Sequence, residues 1–228
     1  MPVIAVDGPA GSGKSSVCRG VAERLGLRYL DTGAMYRAMT WAMIESGVDV
    51  DDADAVASAA SDVTIVSGTD PRQPTIHVGD IDVSGPIRGD AVTEAVSAVS
   101  AVPSVRQRLV ALQRDEVAAA REAGAGIIVE GRDITTVVLP DADLKVFVTA
   151  DAAVRARRRA IQDVTLGKED VDVDRTESAL RARDTKDSSR AASPLAQAQD
   201  AVLLDTTDLS LDQVVDQLVG MVEELPRT

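Results

Sequence analysis

The most constraining feature of this chain is a run of eight residues near its start, Gly8 to Ser15, that matches the pattern G-x-x-x-x-G-K-[ST] at every fixed position. A short apolar run, Val3–Val6, precedes it and predicts a buried strand. Apolar residues four apart follow it, beginning at Val17, and predict a helix that ends near Gly26. The expected unit is therefore a strand, a glycine-rich loop and a helix.

This arrangement is typical of a loop that binds a polyphosphate. Glycines let the backbone turn back so that successive N–H groups point inward, and the helix N-terminus adds its partial positive charge. The Lys14 ammonium can reach the outer phosphates, and the Ser15 hydroxyl can bind Mg²⁺. The predicted nucleotide-binding loop comprises Gly8, Pro9, Ala10, Gly11, Ser12, Gly13, Lys14, Ser15 and Ser16.

The amino-acid composition excludes several classes of binding partner and metal site. The formal net charge of −13 argues against general nucleic-acid binding, which needs a basic surface. The single cysteine, Cys18, excludes a disulfide framework and a cysteine-based zinc cluster, and the single histidine, His77, excludes a multi-histidine metal site. Neither a signal peptide nor a long apolar span is evident, so we expect a cytoplasmic protein with no membrane partner.

Apolar runs predict the strands of a parallel sheet, and helical patterns separate them, which is the signature of a doubly wound α/β fold. Ligands in such sheets bind beyond the carboxyl ends of the strands. The polar segments Asp31–Gly33 and Glu130–Asp133 follow two of these runs, so we expect them beside the phosphate loop. The five runs are Val3–Val6, Arg28–Leu30, Ile127–Val129, Leu144–Val148 and Ala201–Leu204.

The long interval between the second and third runs predicts an additional unit. Helices are expected over about residues 34–46 and 51–60, and Gly79-Asp80 predicts a tight hairpin turn between short strands. A long helix is expected over about residues 105–124. The strands predicted for this antiparallel insert are Val63–Val66, Thr75–Val78 and Ile81–Val83.

Two basic groups interrupt the otherwise acidic chain. A solvated helix face is the ordinary interpretation of such a run. Beside a phosphate loop, however, arginines offer a planar fork for phosphate oxygens and can neutralise the charge that develops during phosphoryl transfer. The first group is Arg155, Arg157, Arg158 and Arg159, and the second is Arg181, Arg183, Lys186 and Arg190.

Taken together, these segments resemble the bacterial cytidylate (CMP/dCMP) kinases, of the nucleoside monophosphate kinase group. The resemblance covers nearly the whole chain. Its first motif is shared by many P-loop proteins, whereas the combination of the others is specific. The motifs are Ile4–Ser15, Leu30–Arg37, Asp82–Arg88, Val102–Arg106 and Glu130–Val138, and Arg183-Asp184 with Asp187 and Arg190 closes the set.

The resemblance implies both an organisation and a reaction. A P-loop core would span residues 1–33 and 89–228, and a monophosphate-binding region would span 34–88, with the β insert at about 62–88. A helical lid would lie at about 151–192. The family transfers the γ-phosphoryl group of ATP to CMP or dCMP in the presence of Mg²⁺, so the expected partners are these small molecules, and we expect a monomer.

The resemblance also assigns the site residues, position by position. Relatives often have Ser at the position of Thr32, where either hydroxyl can bond a phosphate, and Asp at the position of Glu130, which receives no role here. Thr32, Arg37, Arg132 and Arg190 are expected to bind the acceptor phosphate. The sugar is expected to contact Arg183 and Asp187. The cytosine is expected to contact Ser97, Arg106 and Asp133, and Tyr36 is expected in the same site. The catalytic set is Lys14, Arg132, Arg155, Arg159 and Arg190, and the metal ligand is Ser15.

Other P-loop classes remain as alternatives. A switch GTPase would carry a guanine-reading Asn-Lys-x-Asp sequence, which this chain lacks. A kinase of a different small acceptor, such as another nucleotide or a shikimate-like acid, fits less well because of the β insert and the Glu130–Asp133 segment. A catalytic base is not required, because the acceptor is already a phosphate oxygen of low pKa, so positioning and charge neutralisation suffice.

Overall fold

The computed structural model describes residues 1–165, 167, 171–190 and 193–226. The expected lid, at about 151–192, includes residues 166, 168–170, 191 and 192, which lie outside the described residues. Within the part of the chain that the structure describes, no helix has the length and apolar character that a membrane span needs.

The chain forms eight strands and eight α-helices within the part that the structure describes, and two of the helices, Asp90–Val99 and Leu211–Glu223, lie where sequence analysis predicts none. The strands are β1 Val3–Asp7, β2 Arg28–Asp31, β3 Ile65–Ser67, β4 Ile76–Val78, β5 Ile81–Asp82, β6 Ile127–Gly131, β7 Leu144–Thr149 and β8 Val202–Asp205. The α-helices are α1 Lys14–Leu25, α2 Thr32–Glu45, α3 Ala53–Ala60, α4 Asp90–Val99, α5 Pro103–Glu122, α6 Ala152–Thr165, α7 Val173–Ser188 and α8 Leu211–Glu223. A 3₁₀ turn, Pro86–Arg88, and a π-helical turn, Ile134–Val138, complete the set.

The predicted parallel sheet is confirmed. It has five strands in the order β2-β6-β1-β7-β8, and every neighbouring pair is parallel. Every residue of β1 and β6 is buried, because helices cover both faces of the sheet. Strand β1 divides its side chains between the two sides: Val3 and Ala5 pack in a core with α2 and α5, whereas Ile4 and Val6 pack in a core with α1 and α8.

The predicted β insert is confirmed as a three-stranded antiparallel sheet, in the order β3-β4-β5. Helices α2 and α3 begin where side chains cap them. The Asp31 carboxylate accepts from the Ala34 N–H at 3.0 Å, so α2 starts at Thr32. The Asp52 carboxylate accepts from the N–H groups of the second and third residues of α3 in the same way, which delays that helix to Ala53.

Helix α4 lies where sequence analysis predicts no element. Its apolar residues Val92, Val96 and Val99 are spaced four and three apart and are all buried, which is the usual signal of an amphipathic helix. Its cap is Gly89, which offers no side-chain hydrogen bond, so the start of the helix carries little sequence signal. Helix α4 packs against α2 and α7, which brings it to the edge of the site.

The carboxyl ends of the central strands meet at one edge of the sheet. Asp7, at the end of β1, pairs in register with Gly131 of β6, and Asp31 of β2 pairs with Glu130. The chain leaves β1 through Gly8, whose φ is 150°, and a Cβ there would lie 2.0 Å from the Val148 carbonyl oxygen. Only glycine permits this close approach, and it places the phosphate loop directly above the end of the sheet.

Candidate active site

A cleft of about 690 Å³ opens at this edge of the sheet. Its walls come from the phosphate loop, the first turns of α1 and α2, the end of β6, and residues of α4, α5, α6 and α7. The fold thus gathers side chains that are distant in sequence. All of the predicted acceptor residues line the cleft: Thr32, Tyr36, Arg37, Ser97, Arg106, Arg132, Asp133, Arg183, Asp187 and Arg190.

Most of the predicted loop and catalytic residues line the cleft, and the others lie behind its wall. Residues Ala10 to Ser16 line the cleft, and so do Lys14, Arg132, Arg159 and Arg190 of the catalytic set. Of these predicted residues, all of which the structure describes, Gly8, Pro9 and Arg155 do not line the cleft.

Lys14 lies folded against its own loop. Its ammonium donates to the Gly8 carbonyl at 2.7 Å and to the Pro9 carbonyl at 2.9 Å, and the residue is only 6% exposed. Burial and the nearby Arg132 guanidinium lower the pKa of Lys14 from its ordinary value, and Glu130 opposes that shift. The ammonium group is therefore held in place by main-chain oxygens.

Glu130 is a buried carboxylate that sequence analysis left without a role. It accepts a hydrogen bond from the Tyr29 hydroxyl beneath the loop. Burial and the Asp31 carboxylate raise the pKa of Glu130, whereas Lys14 and a hydrogen bond from Ser15 lower it. Glu130 is thus an acidic neighbour of the two loop residues that are expected to face nucleotide phosphates and metal.

The described residues contain no group of three or more His, Cys, Asp or Glu side chains that could hold a metal ion. In a nucleotide site Mg²⁺ keeps several waters and takes other ligands from substrate phosphates, so it needs few protein oxygens. The exposed Ser15 side chain at the first turn of α1 lines the cleft and can supply one protein oxygen. The donor set therefore fits a nucleotide-carried Mg²⁺ ion.

The Asp7 carboxylate at the end of β1 positions the segment that follows β6. It accepts from the Ile134 N–H at 2.9 Å, the Thr135 N–H at 2.8 Å and the Thr135 hydroxyl at 2.7 Å. Burial raises the pKa of Asp7, against the effect of these donors. These bonds anchor the π-helical turn directly after Asp133 and so hold that residue at the cleft.

Several guanidinium groups crowd the middle of the cleft. Burial, together with the neighbouring Arg183 and Arg159, lowers the pKa of Arg37 to about 9. Burial and Arg132 lower the pKa of Arg183 to about 10. Among the described residues, Nε of Arg183 has no hydrogen-bond partner although it is buried. Such mutual repulsion favours an anion in this part of the cleft.

Asp187 joins two of these cations. The carboxylate is 1% exposed, and it accepts from Arg132 Nε at 3.0 Å and from an Arg190 NH group at 2.6 Å. Arg132 also donates to the Gly8 carbonyl at 2.8 Å, and Arg190 donates to the Ser100 hydroxyl at 3.0 Å. The residue that the resemblance assigns to the sugar thus also fixes two guanidinium groups relative to the phosphate loop.

A buried ion pair closes the far end of the cleft. Arg106 pairs with Asp133, and the two residues are 6% and 4% exposed. The Arg106 guanidinium lies over the Tyr36 ring, 5.4 Å from its centroid, and donates to the Ser100 carbonyl at 3.3 Å. The pair presents a donor and an acceptor side by side, which is the requirement for recognising a polar ring edge.

The opposite end of the cleft contains residues that sequence analysis missed, beside one member of the first basic group. Arg158 of that group lines the cleft here and donates to the Thr206 hydroxyl at 2.8 Å and to its carbonyl at 2.7 Å. Thr206 directly follows strand β8, so the polar end of that strand could have indicated it. The missed lining residues at this end are Gln162, Thr206, Leu209, Ser210, Leu211 and Val214.

A glycine-rich phosphate loop on a doubly wound sheet, facing arginines across one cleft, defines a P-loop kinase. The fold is similar to that of a sugar kinase from Janibacter sp., with a TM-score of 0.51, 16% identity and coverage of 98% of this chain and 95% of that one. It is also similar to a gluconokinase from Sinorhizobium meliloti, with a TM-score of 0.50, 14% identity and coverage of 97% and 91%. At these identities the likeness concerns the fold alone.

The chain belongs to the cytidylate kinase family, because the family model described as cytidylate kinase matches residues 4–224. A cytidylate kinase from Streptomyces coelicolor is 57% identical over 222 residues, covering 97% of this chain and 93% of that protein. One from Nocardia farcinica is 53% identical over 222 residues, covering 97% and 94%. The family resemblance that the motifs indicate is thereby confirmed.

Proposed function

We propose that this protein transfers the γ-phosphoryl group of ATP to CMP or dCMP, giving ADP and CDP or dCDP. The observation that carries the proposal is the order of groups along one cleft. The phosphate loop with Lys14 lies at one side, crowded guanidinium groups lie in the middle, and the buried Arg106–Asp133 pair lies at the far end. Family membership and the cytidylate kinase relatives support the same reaction.

The donor nucleotide binds through main-chain groups of the loop and through Lys14. The ammonium exchanges the Gly8 and Pro9 carbonyls for phosphate oxygens, which is favoured because burial disfavours its charge until an anion arrives. The surface near Thr206, Leu209 and Val214 offers an apolar wall with polar edges for the adenine. The Ser15 hydroxyl would hold a Mg²⁺ ion that arrives with the nucleotide, and when bound the ion would supply positive charge near the transferred group.

The acceptor binds across the arginines with its base at the far end. The cytosine amine donates to the Asp133 carboxylate and to Ser97, and Arg106 donates to the ring nitrogen and carbonyl. Arg37 and Arg132 bind the phosphate, whose charge offsets the burial and the repulsion that lower the pKa of Arg37. Thr32 and Arg190 complete the phosphate contacts, and Arg183 and Asp187 contact the sugar.

An oxygen of the CMP phosphate attacks the γ-phosphorus while the bond from that phosphorus to the β–γ bridging oxygen breaks, and ADP leaves. The guanidinium groups and Lys14 stabilise the charge on the equatorial oxygens. In this organisation a monophosphate-binding region, residues 34–88, and a lid, about 151–192, close on a core made of 1–33 and 89–228. Closure excludes water that would otherwise hydrolyse ATP. The expectations of a cytoplasmic monomer that binds no nucleic acid stay predictions.

An acceptor panel with radiolabelled ATP tests the proposal. CMP and dCMP should accept the label far better than UMP, AMP, GMP or shikimate, because cytosine offers an amine to Asp133 and both a ring nitrogen and a carbonyl to Arg106. Adenine offers the amine and the ring nitrogen without the carbonyl, and uracil and guanine reverse the donor and the acceptor. Each reaction is run with equal enzyme, and the products are separated chromatographically. Preferred labelling of any other acceptor on the panel would overturn the assignment while leaving the P-loop kinase class intact.

A further inference from the structure

One residue of the phosphate loop is held by side chains from both helices of the expected lid. The Ala10 N–H donates to Oδ1 of Asp184 on α7 at 3.1 Å. The Ala10 carbonyl accepts from Arg155 of α6 at 2.9 Å, and the same guanidinium group donates to the other Asp184 oxygen at 2.5 Å. The three groups form a closed ring, named here the Ala10 clamp, in which both polar groups of Ala10 are satisfied from outside the loop.

Apolar packing supports the Ala10 clamp. The Ala10 methyl group packs with Ala156 of α6 and Leu180 of α7 in a small buried cluster. The next loop residue, Gly11, approaches α6 so closely that a Cβ there would lie 2.9 Å from the Arg155 carbonyl oxygen. The first half of the loop therefore lies against both helices, with polar contacts at the backbone and apolar contacts at the side chain.

The Arg155 guanidinium group is fully engaged in this contact. Its Nε donates to the Ala150 carbonyl at 3.1 Å, the residue is 8% exposed, and among the described residues it is not part of the cleft wall. The resemblance places Arg155 in the catalytic set, among the lid arginines expected to supply positive charge. In the structure its hydrogen bonds reach the main chain of the loop.

A second contact from the same face of α7 reaches the loop. Asp187 lies one turn beyond Asp184, and through Arg132 it connects to the Gly8 carbonyl. Helix α7 is thus linked to Gly8 by one carboxylate and to Ala10 by another. A displacement of α7 would change the environment of the loop at both positions.

We propose that Arg155 and Asp184 are positioning residues that hold the Ala10 peptide in the orientation that binds a nucleotide polyphosphate, so that donor affinity depends on how α6 and α7 lie against the loop. The inference deepens the proposed function, since it takes the donor to be ATP. It concerns donor binding alone, and it can therefore be tested in the absence of CMP.

The test measures ADP binding by calorimetry to the wild-type protein and to Asp184→Ala. We expect the dissociation constant for ADP to rise about tenfold, as the loss of a charged hydrogen-bond partner allows. In steady state, KM for ATP should rise while KM for CMP changes less than about threefold. Asp184→Asn retains an acceptor for the Ala10 N–H, so it should recover part of the ADP affinity, and it serves if the alanine variant folds poorly.

The matched control is Glu177→Ala, which removes an ion pair with Arg181 on α7 that does not reach the loop. It should leave the ADP affinity unchanged. Hydrogen exchange provides a further measurement: in Asp184→Ala, protection should fall in residues 8–13 and persist in β1 and β6. An unchanged ADP affinity in Asp184→Ala, equal effects on ATP and CMP, or the same loss in Glu177→Ala would overturn the proposal. A failed CMP assay with altered ADP affinity would instead refute only the proposed acceptor.

Discussion

The two ends of the cleft bind charge in different ways. At the phosphate loop, every one of the cationic side chains Lys14, Arg132 and Arg155 donates to a main-chain carbonyl, of Gly8, Pro9 or Ala10, and two of them also pair with carboxylates of α7. At the far end, side chains pair with one another: Arg106 with Asp133, and Arg190 with Asp187. At the loop end the side chains therefore act by holding the backbone of the loop, whereas at the far end they are themselves the groups that face the base.

This difference predicts where selectivity arises. Main-chain groups of the loop recognise phosphate, which every nucleoside triphosphate carries, so they contribute rate and affinity without choosing a base. The Arg106–Asp133 pair is buried, and a ring that cannot offer matching groups leaves one partner unsatisfied, at a cost of about 1–3 kcal/mol per group. We therefore expect substitutions at the loop to change turnover, and substitutions at the pair to change the preference among acceptors.

The largest effect is expected from Lys14→Ala. The substitution removes the cation that neutralises the outer phosphates, and we expect kcat to fall roughly 10³-fold, comparable to the loss of a preorganised transition-state donor elsewhere. The change should reduce CMP and dCMP turnover by the same factor, since the loop does not read the acceptor. The measurement is steady-state kinetics with both acceptors, with circular dichroism and thermal unfolding as controls for the fold. Near-normal turnover would refute the role assigned to the loop.

A smaller but more selective effect is expected from Asp133→Ala. In the unmodified protein, kcat/KM for CMP should exceed that for UMP by at least ~100-fold, because uracil presents a carbonyl to Asp133 and an N–H to Arg106. The variant should lose most of this ratio, chiefly through a poorer reaction with CMP, while KM for ATP changes little. Kinetics with both nucleotides decides the point. An equal fall for CMP and UMP would mean that Asp133 only orients Arg106.

The same contrast explains what the sequence could predict. The loop end is local: one motif with its flanking strand and helix predicts both the structure and the chemistry. The five central strands follow equally well from their apolar runs, since buried parallel strands need apolar residues on both faces. The far end of the cleft is formed by residues that are distant from one another in the sequence. Tyr36, Arg106 and Asp133 lie on or beside different elements, and only the resemblance to a family, not spacing, indicated that they share a site.

The roles of individual arginines on α6 also lay beyond the sequence. The four arginines within five residues give a charge run that does not show which side chain faces the loop, and three of them have different partners in the structure. Arg155 binds Ala10 and Asp184, Arg158 binds Thr206, and Arg159 pairs with Asp163. Which of them reaches the cleft depends on how α6 packs against the loop, a tertiary contact that local patterns do not encode. The strand-end residue Glu130 is a similar case, because its burial follows from its neighbours in the sheet.

The smallest predicted effect concerns protons at the loop end. Burial and Arg132 lower the pKa of Lys14, and the phosphates of a bound nucleotide raise it again. ADP binding at about pH 8, where phosphates are already fully ionised, should therefore take up a fraction of one proton. CMP binding should take up less, because Arg37 and Arg183, with pKa values of about 9 and about 10, are already largely protonated there.

Calorimetric titrations in two buffers of different ionisation enthalpy, without added Mg²⁺, measure this uptake directly. Glu130→Gln is the matched control, because the raised pKa of Glu130 makes it the other group beside the loop that could bind the proton. Uptake that persists in Glu130→Gln and disappears in Lys14→Met assigns the proton to the lysine. If the binding of ADP and the binding of CMP instead take up equal amounts of protons, the cations at the two ends of the cleft are protonated to the same extent before the nucleotide binds. The difference between the two ends would then not include the charge state of their cations.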